Sequence, residues 1–251
     1  MEKENEHTYD NGFHPKEVVL KENYKFYNQN IFFRFLSMLT VWFTRLWILV
    51  PRLWMGVKVY GRKNKRKEKG VILISNHIHP LDAFFLATTF YFRKVYVTML
   101  QSNLGFGLAS RYMRIAAAVP IPTERRQLRR FNEQTRMALE KGKNILFYPE
   151  AALMPYCNHI RNFLPGAFHY AVLYDRPIVP CCYTFHKPKG IYKLLRGKKP
   201  VVHFHILEPY YIKHSDNRNE TIQRTTEEVH KIISDFFLSH NEYDYDKEKT
   251  M

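Results

Sequence analysis

The sequence predicts an α/β fold: a mixed, largely parallel sheet with helices on both faces, preceded by an N-terminal membrane-associating helical segment. From residue 71 onward, apolar runs rich in β-forming residues alternate with helical patterns, which is typical of strands joined by covering helices. Apolar residues make up 45% of the 251 residues, enough for a sizeable core. We assign residues 1–55 to a polar tail and the membrane-associating helices, and residues 56–251 to the α/β domain.

The N-terminal helical segment is predicted from residues 31–54, the most apolar and aromatic stretch of the chain. Arg34 and Arg45 interrupt this stretch and Pro51 ends it. A charge at the centre of a spanning helix costs about 2.5–3.5 kcal/mol. Three tryptophans flanked by arginines favour instead one helix or a helix pair lying in the bilayer interface. A helix packed on the protein's own core and a single membrane span are the alternatives.

The chain carries 39 Lys and Arg against 23 Asp and Glu, a formal net charge of +16, which favours anionic partners. Nucleic acid, phosphorylated small molecules, an acidic carrier protein and an anionic membrane all fit this charge. Residues 52–69 hold eight Lys or Arg and one Glu directly after the aromatic stretch, which predicts contact with anionic lipid headgroups. A solvated loop and a nucleic-acid patch are the alternatives for this basic run.

The cysteine pattern favours a reducing, cytosolic compartment. There are three cysteines, and the adjacent Cys181 and Cys182 are poorly placed to pair with each other, so no disulfide framework is expected. The first 30 residues are polar and charged, so no secretory signal peptide is expected either. With the aromatic stretch, these features predict a peripheral or monotopic protein on the cytoplasmic face of a membrane.

Strands and helices alternate along the remainder of the chain. The predicted strands are residues 71–75, 95–98, 116–121, 144–148, 177–182 and 201–207. The predicted helices are residues 82–92, 124–141 and 217–238. The last two helices place their apolar residues on one stripe, so each can cover a face of the sheet.

The clearest candidate for chemistry is the turn after the first strand, Ser-Asn-His-Ile-His-Pro-Leu-Asp at residues 75–82. Ligands of α/β sheets bind at the carboxyl ends of strands, where this turn lies. Pro80 tightens the turn, so Asp82 can return to within hydrogen-bonding reach of the His77 imidazole. A carboxylate on one ring nitrogen fixes the tautomer and leaves the other basic, so the histidine can deprotonate a hydroxyl. The alternative is a turn-capping aspartate beside a surface histidine.

Two other strand ends carry polar side chains. Glu150 follows the strand at residues 144–148 and is expected at the same sheet edge as His77. There it would accept a hydrogen bond from a substrate hydroxyl, or cap a loop. Arg125 and Arg126 follow a proline-rich strand end at the start of a helix, where guanidinium groups and free helix amides favour a phosphate.

A metal site is the weaker alternative for the His-x-His sequence at residues 77–79. Metal-dependent hydrolases also use this pattern, but they need further ligands at later strand ends. The only second His-x-His lies at residues 203–205, and no convincing ligand aspartate follows on an intervening strand. We therefore expect no metal.

These motifs together resemble the glycerolipid acyltransferases typified by 1-acylglycerol-3-phosphate O-acyltransferase. Asn76 and His77, with Asp82 further on, are similar to the N-H-x4-D block of that family, and residues 147–150 resemble the start of its F-P-E-G-T-R block. Further similar segments are residues 119–123, 166–167 and 178–180. Order and spacing agree over about half of the chain, residues 56–185.

The resemblance implies that His77, oriented by Asp82, acts as general base on an acceptor hydroxyl that attacks an acyl thioester directly. Acyl-CoA or acyl carrier protein is the implied donor, and a lysophospholipid, 1-acylglycerol-3-phosphate first, is the implied acceptor. No cofactor beyond the acyl donor is implied. The implied substrate-binding residues are Asn76, Glu150, Arg125, Arg126, Arg161 and Gly166.

One departure from the family concerns the acceptor. After Glu150 the chain has Ala-Ala-Leu at residues 151–153 in place of G-T-R, so the phosphate-binding arginine of that block is missing, and Arg161 is the expected replacement. The departure leaves open another lysolipid acceptor, such as an aminolipid or a glycolipid. A basic RNA-binding protein that uses residues 52–69 and 187–199 is the alternative of a different class.

Overall fold

The computed structural model describes residues 18–64, 68–90 and 94–244. The strands are β1 Lys58–Tyr60, β2 Ile72–Ser75, β3 Val95–Leu100, β4 Ala118–Ile121, β5 Asn144–Phe147, β6 Ile178–His186 and β7 Val201–Ile206. The helices are α1 Ile31–Trp47, α2 Leu49–Trp54, α3 Asp82–Thr89, α4 Leu108–Ile115, α5 Arg125–Glu140, α6 Gly166–Leu173, α7 Ile191–Arg196 and α8 Arg218–His240. A short 3₁₀ segment, Gln101–Gly105, joins β3 to α4.

The seven strands form one sheet in the order β1-β7-β6-β2-β5-β3-β4. All neighbouring strands are parallel except β6 and β7, which are antiparallel. Consecutive residues of β2, β5 and most of β6 are buried, so both faces of the central sheet are covered. The prediction of a mixed, largely parallel sheet with helices on both faces is confirmed.

Two groups of helices cover the sheet. In one group, α6 packs on α8, and the ring of Phe131 in α5 meets that of Tyr170 in α6 edge to face at 5.7 Å. In the other, α1 packs on α3 and α4. Trp47 of α1 contacts Phe84 of α3 with ring centroids 5.7 Å apart, and Phe84 lies 6.2 Å from Tyr112 of α4. The helix that begins at Asp82 is thus in direct contact with the N-terminal helices.

The N-terminal apolar stretch forms two consecutive helices, α1 and α2, which matches one of the two predicted forms, and their place in the bilayer interface stays a prediction. Ile31–Trp54 has the length and the apolar composition to cross a membrane. Within its most apolar 18 residues, only 17% are buried inside the protein. The alternative of a helix packed on the protein's own core holds for one side of α1 only. One side of α1 is held on α4 by the hydroxyl of Tyr112, which lies 2.5 Å from Thr44 Oγ1 and accepts a 2.7 Å bond from Trp47 Nε1.

The residues before α1 differ from the polar tail that the sequence predicts. Phe26 and Tyr27 are buried in the core, where both rings contact Phe131 of α5. Two aromatic residues in a polar stretch give no periodic pattern, so their burial depends on the tertiary structure. The prediction for residues 1–17 lies outside the described residues.

Several short elements were not expected. The basic run at residues 52–69 contains the strand β1. Its three residues form a strand because they pair in parallel with β7. Residues 65–67 of that run lie outside the described residues. Helix α3 ends at Thr89, earlier than the predicted 82–92, and the last two residues of that range are also outside the description. The helices α4, α6 and α7 are additional.

Candidate active site

The candidate site lies where β2 and β5 end side by side. These neighbouring strands are parallel, so the residues that follow Ser75 and Phe147 emerge at the same edge of the sheet. His77 follows β2, and Tyr148 and Glu150 follow β5. The sheet topology therefore brings three polar side chains from two separate parts of the chain together.

His77 and Asp82 are in direct contact, as the tight turn predicts. Nδ1 of His77 lies 2.8 Å from Oδ2 of Asp82, and the side chains are 23% and 0% exposed respectively. The same Oδ2 accepts backbone N–H bonds from Ile78 at 2.8 Å and from His79 at 3.1 Å. A carboxylate only accepts, so the His77 ring carries a proton on Nδ1, and in the neutral ring Nε2 then holds the lone pair. The catalytic role of the pair remains a prediction.

Tyr148 completes the surroundings of this pair and was missed in the sequence. Its hydroxyl donates to Oδ1 of Asp82 at 2.9 Å, and its ring stacks on the His77 imidazole at 4.1 Å with an interplanar angle of 19°. Burial, together with the negative charge of Asp82, raises the pKa of Tyr148 well above its usual value, so the phenol stays protonated. The one signal in the sequence is its position directly after the apolar strand β5.

Asn76 has a different place from the expected substrate contact. Its side chain is buried, and its Nδ2 donates to the carbonyl of Tyr183 at 3.0 Å while its Oδ1 accepts from the N–H of Tyr183 at 2.8 Å. The hydroxyl of Tyr183 in turn donates to the carbonyl of Asp82 at 2.7 Å. Asn76 therefore ties the end of β2 to β6 and holds the turn in place, rather than facing a substrate.

Glu150 and Arg161 form a buried ion pair beneath the turn. Nη2 of Arg161 lies 2.9 Å from Oε2 of Glu150, and the same oxygen accepts the backbone N–H of His77 at 3.3 Å. Arg161 also donates to the carbonyl of Ala152. Burial raises the pKa of the Glu150 carboxyl, and the Arg161 guanidinium opposes this rise. The expectation that Arg161 replaces the missing phosphate arginine is a poor fit, because its guanidinium is committed to Glu150 in the interior.

Arg125 and Arg126 lie far from this cluster. They open α5 after β4, which is separated from β2 by β5 and β3, a span of about 14 Å at the usual strand spacing. The Arg126 side chain is 86% exposed, and its nearest ion-pair partner is Glu22 at 3.8 Å. Among the described residues, no hydrogen bond or ion pair joins either arginine to His77 or its partners. The two arginines follow a strand end as predicted, but strand order places them at the far end of the sheet edge.

Gly166 begins α6 and is exposed. A Cβ atom built on it would meet no atom within 4 Å, so nothing in the structure requires glycine at this position. The His79 ring bonds within the turn, because its Nδ1 accepts the N–H of Leu81 at 3.1 Å. Burial lowers the pKa of His79, and the nearby cations Arg196 and Lys199 act in the same direction. The two His-x-His sequences do not combine into one group of metal ligands among the described residues.

A comparison with models of known families identifies the family of this chain. A family model described as Acyltransferase matches residues 56–184, just over half of the chain and inclusive of His77, Asp82 and Glu150. The chain belongs to the acyltransferase family. The prediction that the chain is an acyltransferase is thereby confirmed, and the RNA-binding alternative has no comparable support.

One solved structure that this acyltransferase resembles is the crystal structure of the 1-acyl-sn-glycerophosphate acyltransferase PlsC from Thermotoga maritima. The two chains are 19% identical, the alignment covers 70% of each, and the TM-score is 0.47. Comparison with curated proteins finds no match.

Proposed function

We propose that this acyltransferase moves a fatty acyl group from an acyl thioester, acyl-CoA or acyl carrier protein, to the free hydroxyl of a lysophospholipid. The observation that carries the proposal is the 2.8 Å contact between His77 Nδ1 and Asp82 Oδ2 at a sheet edge, within the range matched by the family. We take 1-acylglycerol-3-phosphate as the first candidate acceptor, because the motif resemblance points to it.

In this mechanism His77 is the general base. Its Nε2 takes the proton of the acceptor hydroxyl as the oxygen attacks the thioester carbonyl carbon. The carbon–oxygen bond forms, the carbon–sulfur bond breaks, and the departing thiolate receives the proton that His77 took up. Asp82 stabilises the imidazolium that forms between these steps, since it is buried and already bonded to Nδ1.

Glu150 and Arg161 act as positioning residues. Glu150 fixes the backbone at His77 through its bond to that N–H, and Arg161 neutralises the carboxylate in the interior. The segment between them returns to the turn, where the N–H of Met154 donates to the carbonyl of His77 at 3.3 Å. A base that must meet its substrate within a few tenths of an ångström benefits from such a rigid support.

A membrane surface supplies the acceptor in this proposal. The helix pair exposes apolar and aromatic side chains, and it packs on α3, whose first residue is Asp82. Arg34, Arg45 and Arg52 on these helices suit anionic headgroups. We infer a peripheral or monotopic enzyme on the cytoplasmic face, with the acyl chains of the acceptor in the leaflet.

A different lysolipid acceptor is the second candidate, favoured by one observation. Arg161 is engaged with Glu150, while Arg125 and Arg126 lie at the far end of the sheet edge. Near His79 the exposed cation is Lys199, because Arg196 is buried and donates to the carbonyl of Pro200. The phosphate or other headgroup of the acceptor would then contact the connection between β6 and β7, where Lys199 lies.

The test is an acyl-transfer assay on purified enzyme in detergent or vesicles. Labelled acyl-CoA and acyl carrier protein are each offered with lysophosphatidate, a lysoaminolipid and a lysoglycolipid. We expect His77→Ala to reduce turnover by about 10²–10⁴-fold with all acceptors. His214→Ala is the matched control, because His214 also bonds an aspartate, Asp175 at 2.9 Å, but on the surface. Full turnover by a folded His77→Ala variant would refute the assigned base.

A further inference from the structure

Three histidines converge in a cavity that does not contain the catalytic residues. The cavity measures about 640 Å³, and His186, His203 and His205 line it, whereas His77 and Asp82 do not. The antiparallel register pairs Thr184 with His203 and Cys182 with His205. Because side chains alternate along strands, His203 and His205 share one face of β7, and Thr184 and His186 share the corresponding face of β6.

The ring nitrogens of these histidines are close together. One ligand nitrogen from each lies within 4.8 Å of those of the other two. Nε2 of His186 and Nε2 of His205 both point at Thr184 Oγ1, at 3.0 and 3.1 Å respectively. The rings of His186 and His203 stack with centroids 3.7 Å apart. Two strands therefore present three imidazole donors to one small region.

His203 is the donor most available to a metal ion. His203 makes no side-chain hydrogen bond to any residue that the structure describes. Neutral imidazole nitrogens with available lone pairs are preferred ligands of Zn²⁺.

A carboxylate and an aromatic ring hold two of the histidines in place. Oε2 of Glu242 lies 3.0 Å from Nδ1 of His186, so the proton sits on Nδ1 and Nε2 is directed into the cluster. A carboxylate behind a histidine in this way is the usual outer contact of a metal ligand. The ring of Tyr60 stacks on His205 at 4.9 Å with an interplanar angle of 12°.

We propose that His186, His203 and His205 bind one Zn²⁺ ion, with Glu242 as the carboxylate that orients His186. Zinc–nitrogen bonds of about 2.0–2.1 Å bring the donor nitrogens to about 3.4 Å from one another, so they move together by up to about 1.4 Å. The stacked rings of His186 and His203 rotate out of their parallel arrangement, and the Thr184 hydroxyl turns aside. The ion cross-links β6 and β7, and Glu242 connects it through His186 to the segment after α8. Its place is structural, separate from the acyl-transfer site.

Positively charged side chains in the same cavity repel a zinc ion and affect which ligand takes its fourth coordination position. Lys58, Lys187 and Lys189 also line the cavity. Their charges act over about 8 Å at physiological salt, and Glu242 offsets part of them. The fourth zinc position, open to the cavity, therefore favours an anion or a water molecule over another protein ligand.

The test is calorimetric titration of the chelator-treated, dialysed full chain with ZnCl₂. We expect one equivalent of zinc and a rise in the unfolding midpoint on binding. The double variant His186→Gln/His203→Gln should lose this site, and Glu242→Gln should bind at least tenfold more weakly. Glu242 is 66% exposed, so this variant is expected to fold, and circular dichroism checks both. His214→Gln is the control, with unchanged binding.

Two results would overturn the proposal. One is a folded wild type that binds no zinc above background. The other is a folded double variant that binds one equivalent with wild-type affinity, since the ion would then lie elsewhere. Acyl-transfer activity is measured separately with and without zinc, so failure of the zinc site and failure of the proposed reaction are distinguishable.

Discussion

The phenol of Tyr148 lies flat against the imidazole of His77, with ring centroids 4.1 Å apart, while its hydroxyl donates to the buried carboxylate of Asp82 at 2.9 Å. One side chain thus contacts both members of the proposed catalytic pair. It restricts rotation of the His77 ring and occupies the Asp82 oxygen that His77 does not use.

Removing the Tyr148 hydroxyl tests this relationship. We expect Tyr148→Phe to retain the ring stacking but to lower kcat about tenfold or more with little change in KM, because a hydrogen bond to a charged group contributes about 1.5–3 kcal/mol. Steady-state acyl-transfer kinetics measure the effect. Tyr211→Phe is the control, since Tyr211 makes a similar 2.8 Å bond to Glu68 on the surface. A kcat equal to that of the control would show that the hydroxyl does not support the base.

The buried ion pair of Arg161 with Glu150 predicts a large loss of stability when one partner is removed. Arg161→Met leaves the Glu150 carboxylate without its charge partner, and we expect a loss of about 3–5 kcal/mol in the free energy of unfolding. Arg136→Met, which removes a surface pair with Glu140, should cost no more than about 0.5 kcal/mol. Urea unfolding followed by circular dichroism compares the two. Equal losses would mean that the interior pair contributes no more than a surface one.

Lys94 predicts a pH dependence of stability. Burial, with Lys143, Arg34 and Arg114 nearby, lowers the pKa of Lys94 from 10.5 to about 8. Between these two values the unfolded chain binds more protons at Lys94 than the folded chain, so its contribution to stability increases as pH rises above 8.

The measurement is the difference in unfolding free energy between wild type and Lys94→Met from pH 7 to 9.5. We expect the unfolding free energy of wild type to increase relative to that of Lys94→Met as pH rises across this range. Lys141→Met, at an exposed position, is the control and should show a constant difference. A constant difference for Lys94→Met as well would contradict the lowered pKa.

The exposed face of α1 predicts vesicle binding. Leu46 is 65% exposed, and burial of a leucine side chain contributes about 1.5–3 kcal/mol, so Leu46→Ser should weaken partitioning into anionic vesicles about tenfold or more. Co-sedimentation measures the bound fraction. Leu238→Ser, at a 73% exposed position of α8, should bind like wild type. Similar losses in both variants would argue against a specific membrane face on α1.

The sequence predicts best those parts of the site that depend on local geometry. His77 and Asp82 belong to one turn, so five residues of separation and a proline suffice to bring them together. Glu150 is at the same edge because β5 is a parallel strand, and that follows from alternation of strands and helices.

The parts that failed depend on the order of strands and on distant contacts. Arg125 and Arg126 follow a strand end as expected, but β4 is the outermost strand. Arg161 meets Glu150 only because the intervening segment folds back beneath the turn, which no local pattern records. The bonds of Asn76 to Tyr183 cross 107 residues of sequence. From its charge, Arg161 was expected to bind a substrate phosphate, whereas the ion pair with Glu150 holds its side chain in the interior.

In the proposed membrane arrangement, the contact of Trp47 with Phe84 links the depth of the enzyme in the leaflet to the height of the proposed base, His77. With α1 seated among lipid tails as proposed, α3 and Asp82 stand at a constant level above the acyl chains. A lysolipid then arrives by lateral diffusion within one monolayer, and its product leaves the same way. Neither tail has to pass through water, so turnover should respond to the surface density of the acceptor rather than to its bulk concentration.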